Sequence, residues 1–158
     1  MIAAITTARL VLQPIDQAAA ARIVAGDYDD FPAAPGWPQD DTIVGLRLEL
    51  DRGSTPACWL IVCAGTVIGE LGWKGGPSPE GTAEIGYGIV PDHRRQGYAT
   101  EAVAGFVRWA ADSVELRRLV AETRDDNLAS QKVLAACGFR VSSKQGEEIY
   151  WLRETAAS

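Results

Sequence analysis

Apolar and polar positions alternate over residues 7–13, Thr-Ala-Arg-Leu-Val-Leu-Gln, which predicts a first strand stopped near Pro14. Asp16 is placed to cap a helix over 17–25 that Gly26 would end. Residues 27–39, broken by Pro32, Pro35, Gly36 and Pro38, read as a loop, and a second helix fits 41–51 with Gly53 as its stop. Apolar runs at 58–63 and 67–73, joined by Ala64-Gly65-Thr66, predict a hairpin. A Gly/Pro-rich turn at 74–81 leads to a strand over 82–90, closed by Pro91. From 98 to 112, Ala99, Ala102, Val103, Phe106, Val107 and Ala110 recur at three- and four-residue spacing, the mark of a helix with one buried face. A strand at 117–123, a turn at 124–127 and a helix at 128–137 follow, with Gly138 suited to the left-handed position after that helix. Strands at 139–143 and 147–153, joined by a turn at Lys144–Gly146, complete the chain. An early antiparallel meander followed by strand–helix–strand–helix–strand is a mixed α/β pattern.

At 158 residues with no internal repeat or linker, one domain over 1–158 is expected. No run of 18 apolar residues appears, and the first ten residues lack a basic segment followed by a long apolar stretch, so a cytoplasmic protein is expected. A net charge of −6 argues against a broad basic nucleic-acid face and suits a cationic or amine-bearing partner. Cys58, Cys63 and Cys137 are odd in number and match no zinc spacing, so reduced thiols are expected. His93 is the only histidine, which leaves little with which to build a histidine metal site or a Ser-His-Asp triad, and no metal is expected.

The informative stretch runs from Val90 to Glu101, between a strand and an amphipathic helix, with the spacing Arg94-x-x-Gly97-x-Ala99. A helix N-terminus carries unpaired N–H groups and a partial positive charge, so a loop entering it can wrap a phosphate. Gly97 would let the backbone approach closely, Ala99 leaves room beside it, and Arg94 and Arg95 add charge for a pyrophosphate. The same residues also read as a plain glycine turn with exposed arginines. The phosphate loop with a Gly-Lys-Ser/Thr end is absent. Gly86-x-Gly88 lies inside a strand, with Pro91 where a dinucleotide fingerprint needs its third glycine, and reads instead as a bulge or a close backbone approach.

Glu84-Ile85-Gly86-Tyr87, Val90-Pro91, Arg94-x-x-Gly97 and Tyr98-Ala99-Thr100-Glu101 together resemble motif A of the GNAT superfamily of N-acetyltransferases. The stretch is most similar to the Rim-type branch, which acetylates ribosomal-protein N-termini and other amines. Thr7-x-Arg9-Leu10-x-Leu12 resembles the opening strand of that branch, and Asn127-x-x-Ser130 with Gly138-Phe139 resembles its motif B. The resemblance covers almost the whole chain. It implies the GNAT fold: a mixed, mostly antiparallel sheet of six or seven strands, splayed in the middle, with helices on both faces. It implies acetyl-CoA as co-substrate and an amine as acceptor, either a protein N-terminus or a small molecule, and it allows a homodimer.

Carried over residue by residue, the resemblance assigns Gly88, Ile89 and Val90 to backbone pairing with the pantetheine arm. It places the pyrophosphate on the backbone of Arg95, Gln96, Gly97, Tyr98, Ala99 and Thr100, and it has the Asn127 side chain bind the pantetheine. Asn127 also reads as a helix N-cap. Glu84 resembles the catalytic glutamate of histone-modifying members, which takes a proton from the amine, and it also reads as a strand-end carboxylate. Leu134 stands where many members carry a tyrosine; the likeness to Rim-type members instead implies that Ser130 touches the cofactor and assists the departing thiolate, and Ser130 also reads as filling the first helical turn. A strand N–H near Ile89 or Val90 is the expected donor to the acetyl oxygen. Tyr28, Trp37, Trp59 and Trp73 are candidates for the acceptor side or for packing, and Cys137 reads as core.

Two other functions fit parts of the sequence: a non-catalytic acyl-CoA-binding or regulatory domain, which the missing tyrosine leaves open, and a nucleotide-binding protein using Arg94–Gly97. Replacing Gly97 by Glu would set bulk and negative charge against a pyrophosphate. Gly97→Glu is therefore expected to abolish coenzyme A binding in calorimetry while the protein stays folded; undiminished acetyl-CoA affinity would contradict the phosphate reading.

Overall fold

A computed structural model describes residues 3–52, 58–113 and 115–155. In chain order the described elements are β1 (Ile5–Thr6), β2 (Leu10–Pro14), α1 (Gln17–Val24), α2 (Asp40–Arg52), β3 (Cys58–Cys63), β4 (Thr66–Lys74) and β5 (Thr82–Ile89). A short 3-10 turn at Pro91–His93 precedes α3 (Tyr98–Ala111), β6 (Arg118–Arg124), α4 (Leu128–Ala136), β7 (Arg140–Gln145) and β8 (Glu148–Glu154). Asp16 accepts a hydrogen bond from Ala19 N–H and caps α1 as expected. Gly138 takes φ 85° after α4, with Phe139 N–H bonded back to Leu134 C=O at 3.0 Å. Gly53, the expected stop of the second helix, lies outside the described residues.

The strands form one sheet in the order β1-β2-β3-β4-β5-β6-β8-β7. Every neighbouring pair is antiparallel except β5 and β6. The sheet has eight strands rather than six or seven because the expected first strand is two. Thr7 bonds back to Leu10, its N–H 2.9 Å from the Leu10 carbonyl. The Thr7 hydroxyl donates to Glu101 Oε2 at 2.5 Å, and Arg9 N–H reaches the same oxygen at 2.7 Å. The demand of one carboxylate on α3 thus turns Thr7–Arg9 out of the ladder.

Side-chain alternation assigns the two faces of the sheet. Glu70 on β4 meets Thr42 of α2, so the even-numbered side of β4 faces α2, which packs against α1. Trp73 points the other way, into a cluster on the α3 side. Trp59, fully buried, centres that cluster, with ring centroids 5.0 Å from Phe106, 5.1 Å from Trp73 and 5.5 Å from Trp109. The expectation that Trp59 could line an acceptor surface is therefore corrected: it is core. The buried face of α3, Ala102, Val103, Phe106, Val107 and Ala110, is the one its periodicity predicts. α4 lies on the α3 side, where the Cys137 thiol approaches Thr100 C=O at 3.5 Å. No helix among the described residues is long and apolar enough to cross a membrane.

Burial pushes the Glu101 carboxyl up, but the hydrogen bonds from Thr7 and Arg9 and the Arg9 charge outweigh it and hold the group below its usual range. Its contribution to stability is thus present above the ordinary carboxylate range and is lost as pH falls through the depressed folded value. Glu101→Ala is expected to lower Tm by roughly 2–6 °C at pH 7. The difference from wild type should shrink below about pH 4. Thermal melts across pH would check both.

Candidate active site

The site begins where two strands part. β5 pairs with β6 only through Thr82, Ala83 and Glu84, opposite Arg118, Leu119 and Val120. Beyond Glu84 the two diverge, while β5 stays in continuous antiparallel register with β4 through Ile89. There is no bulge in β5. The irregularity in this part of the sheet is on β4: Ile61 pairs with Gly69 and Val62 with Val67, so Ile68 is the extra residue opposite β3.

Hydrogen-bond alternation decides which backbone groups face the opening. Val90 N–H donates to Ile68 C=O at 2.8 Å, and Val90 C=O accepts from His93 N–H at 3.0 Å. Two residues back, Gly88 also turns its polar groups to β4; a methyl placed on Gly69 would lie 2.0 Å from the Gly88 carbonyl oxygen. The expectation that Gly88, Ile89 and Val90 all offer backbone groups is therefore corrected. Of the three, only Ile89 points its N–H into the gap, with Tyr87 and Ile85 in phase behind it. The Ile89 carbonyl accepts from Arg94 Nε at 2.8 Å, and Arg94 also holds Gln39 Oε1 at 3.0 Å. Arg94 is thus a strut joining β5 to the approach of α2, not a free charge for a phosphate.

The loop entering α3 has two left-handed residues, Arg95 at φ 63° and Gly97 at φ 83°, on either side of Gln96. The first backbone bond of α3 runs from Glu101 N–H to Gly97 C=O. The N–H groups of Tyr98, Ala99 and Thr100 precede it and project from the helix end, as an anion cradle requires. Arg9 braces this loop: its guanidinium bonds Gln96 C=O at 3.0 Å, pairs with Glu101 at 2.7 Å and lies 4.4 Å over the Tyr98 ring.

Asn127 and Ser130 form the wall opposite β5. Asn127 Oδ1 accepts from Ser130 N–H at 3.1 Å, so the N-cap reading of Asn127 holds. Ser130 Oγ sits 2.7 Å from the Tyr87 hydroxyl. Tyr87 comes from β5, so a phenol enters the space beside Leu134 from the opposite wall. Burial pushes the Tyr87 hydroxyl up to about 12, against the lowering effect of Ser130, so it stays protonated and able to donate. The odd-numbered phase of Tyr87 with Ile85 and Ile89 was the sequence signal for its direction.

A cleft of about 420 Å³ joins these walls across the sheet. It is lined by Asp41, Thr42 and Glu49 of α2 on one side and by Asn127, Ser130 and Leu134 on the other, with Gly86 and Tyr87 between. Gly72 faces Gly86, and the two leave the floor without side chains. Glu70 stands at one end of this floor. Trp37 Nε1 donates to its Oε2 at 3.3 Å, and Thr42 Oγ1 donates to its Oε1. Burial pushes the Glu70 carboxyl above its ordinary value, opposed by these two hydrogen bonds and reinforced by Asp41. A single carboxylate inside the apolar run Val67–Trp73 was the sequence signal for Glu70.

Glu84 occupies the other end. Its carboxylate pairs with Lys74 at 2.8 Å and is not among the residues lining the cleft. At about 3.3 Å per residue, Glu84 lies roughly 16 Å along the strand from Ile89. The structure therefore does not bring Glu84 together with the Ile89 N–H. Glu122 lies nearby, raised by burial and by Glu148 and Glu84. Cys58 also lines the cleft; burial, with Glu70 and Glu49, raises its thiol and keeps it neutral, a poor nucleophile. Trp37 packs edge-on to Tyr28 at 6.1 Å and, through Glu70, belongs to the site. No cluster of metal-ligating side chains occurs among the described residues.

The acetyltransferase (GNAT) domain family matches residues 9–140. The uncharacterized N-acetyltransferase YjdG of Bacillus subtilis strain 168 is 35% identical over 99 residues, 61% of this chain and 59% of that protein. The ribosomal-protein-serine acetyltransferase of Escherichia coli K12 is 41% identical over 110 residues, 65% of this chain and 62% of that protein. The chain thus spans about three fifths of the length of these curated relatives. A crystal structure of an acetyltransferase from Agrobacterium tumefaciens C58 superposes with a TM-score of 0.67 at 26% identity, covering 97% of this chain and 95% of that one.

Asn127→Ala removes the cap of α4 and is expected to cost about 1 kcal/mol in urea unfolding, with Asn127→Asp recovering most of it.

Proposed function

Because the chain belongs to the GNAT acetyltransferase family, we propose that it transfers an acetyl group from acetyl-CoA directly to a primary amine, on a protein N-terminus or a small molecule. The observation that carries this reading is the cleft through the sheet. A donor can enter on the α4 side and an acceptor on the α2 side, so that they meet at the parting of β5 and β6. When bound, acetyl-CoA supplies the activated acyl carbon and a good leaving group.

The residues present suit that group. The N–H groups of Tyr98, Ala99 and Thr100, with the loop residues Arg95, Gln96 and Gly97, form a cradle for a diphosphate. Ile89 N–H and the Asn127 side chain flank the gap that an amide-bearing arm would enter, much as an added strand pairs with an exposed edge. The Ile89 N–H is then the donor available to a carbonyl oxygen as charge develops on it. Ser130, backed by the Tyr87 hydroxyl, is placed to donate to a departing thiolate. Two carboxylates are candidates to receive the amine proton: Glu84, expected from the family resemblance but paired with Lys74 outside the cleft, and Glu70, which lines it.

Direct transfer also suits Cys58, the thiol in the cleft, which is held protonated. We place the reaction in the cytoplasm, where Cys58, Cys63 and Cys137, which carry no disulfide, stay reduced. One acetyltransferase domain accounts for the whole site.

The test is thiol release from acetyl-CoA with a panel of N-terminal peptides, monoamines and diamines, the N-acetyl product being weighed by mass spectrometry. Release dependent on the amine is expected, with intersecting rather than parallel initial-velocity lines, since no acetyl-enzyme forms. Tight acetyl-CoA binding without turnover on any amine would favour the binding-only alternative.

A further inference from the structure

We propose that Glu70 takes the proton from the acceptor, and that the acceptor is an amine that arrives as a cation. This rests on the acetyl-transfer reading and deepens it.

The geometry is that of the ladder between β4 and β5. Glu70 lies opposite Gly88, the residue before Ile89. Gly88 has no side chain to cover it: a methyl placed there would lie 3.8 Å from Glu70 Oε1 and 3.4 Å from Gln39 Nε2. The carboxylate therefore overhangs the stretch of β5 that ends at the Ile89 N–H. Thr42 and Trp37 fix one oxygen each, which leaves each oxygen a lone pair for an ammonium. The cation meets a matching field. Asp41 and Glu49 of α2 face the same cleft; Glu49 Oε1 pairs with Arg52 at 3.1 Å, while its Oε2 is buried without a partner among the described residues. Farther along this face, Glu84 is neutralised by Lys74, while Glu122 adds charge of the same sign as Glu70. Cys58 beneath them stays a neutral thiol.

The step balances without a further reactant. The ammonium passes one proton to the Glu70 carboxylate and becomes a neutral amine. Its nitrogen attacks the thioester carbon, the C–S bond breaks, and the electron pair stays on sulfur. The second nitrogen proton goes to the thiolate, and Glu70 returns its own proton to solvent.

Rates measured from pH 5.5 to 10 for wild type and Glu70→Gln test this. We expect Glu70→Gln to lower kcat/KM about 100-fold at pH 7, with acetyl-CoA affinity in calorimetry unchanged. The gap should narrow as pH approaches the amine's own pKa, where neutral amine is present without a base. Wild type should lose activity as pH falls through the raised Glu70 value, and Glu70→Gln should lack that limb. Thr42→Val, which removes a hydrogen bond favouring the ionised form, should move the limb to higher pH. The carboxyl band of Glu70 in infrared titration should share its midpoint, in wild type as in Thr42→Val, and this readout does not require a folded Glu70→Gln.

An unchanged rate in Glu70→Gln would overturn the assignment, as would a loss equal at every pH or a limb that ignores Thr42→Val. These outcomes, with an active wild type, leave acetyl transfer standing. A wild type inactive on every amine overturns that reading, and the Glu70 assignment falls with it.

Discussion

The structure turns on the three-residue embrace of β5 and β6. Parallel pairing from Thr82 to Glu84 holds the two halves of the sheet together, and its end at Glu84 opens them. A sheet interior cannot leave backbone N–H and C=O groups idle without cost. The phase of β5 against β4 sends the groups of Gly86, Gly88 and Val90 to β4 and those of Ile85, Tyr87 and Ile89 to the gap. The opening is therefore a polar slot in an apolar layer. The same opening makes the cleft continuous from α2 to α4.

Much of the surrounding structure keeps this slot and its anion cradle aligned. Glu101, in the first turn of α3, draws in Thr7 and Arg9, and Arg9 in turn holds Gln96 and covers Tyr98. The edge of the sheet is thereby tied to the loop of left-handed residues. On the other side, Arg94 joins the end of β5 to Gln39, ahead of α2. A loop so restrained has little conformational entropy left to lose when an anion binds, which favours binding.

The α2 side of the cleft is organised by glycines as much as by charges. Gly72 and Gly86 bare the floor between Glu70 and the Lys74–Glu84 pair, and Gly88 uncovers the Glu70 carboxylate. One carboxylate is held by neutral donors and the other by an ammonium. A carboxylate that, among the described residues, is bonded only to Thr42 and Trp37 keeps its charge available to a cation, whereas that of Glu84 is paired with Lys74.

The order and type of nearly every element were legible in the sequence, since periodicity, caps and turn residues act within a few positions. The loop before α3 and the cap at Asn127 were legible for the same reason: a glycine spacing and a helix N-terminus are local facts. What the tertiary structure alone decided was how distant residues meet. The split of the first strand depends on Glu101, 92 residues beyond Arg9. The turning of Gly88 and Val90 toward β4 depends on the register with Ile68 and Glu70. Tyr87 meets Ser130 beside Leu134 because two separate elements converge on one space, and Glu70 rather than Glu84 lines the cleft because strand pairing sets it beside Gly88. Local pattern specifies what a residue does to its own backbone; which groups share a cleft is set by pairing and packing across the chain.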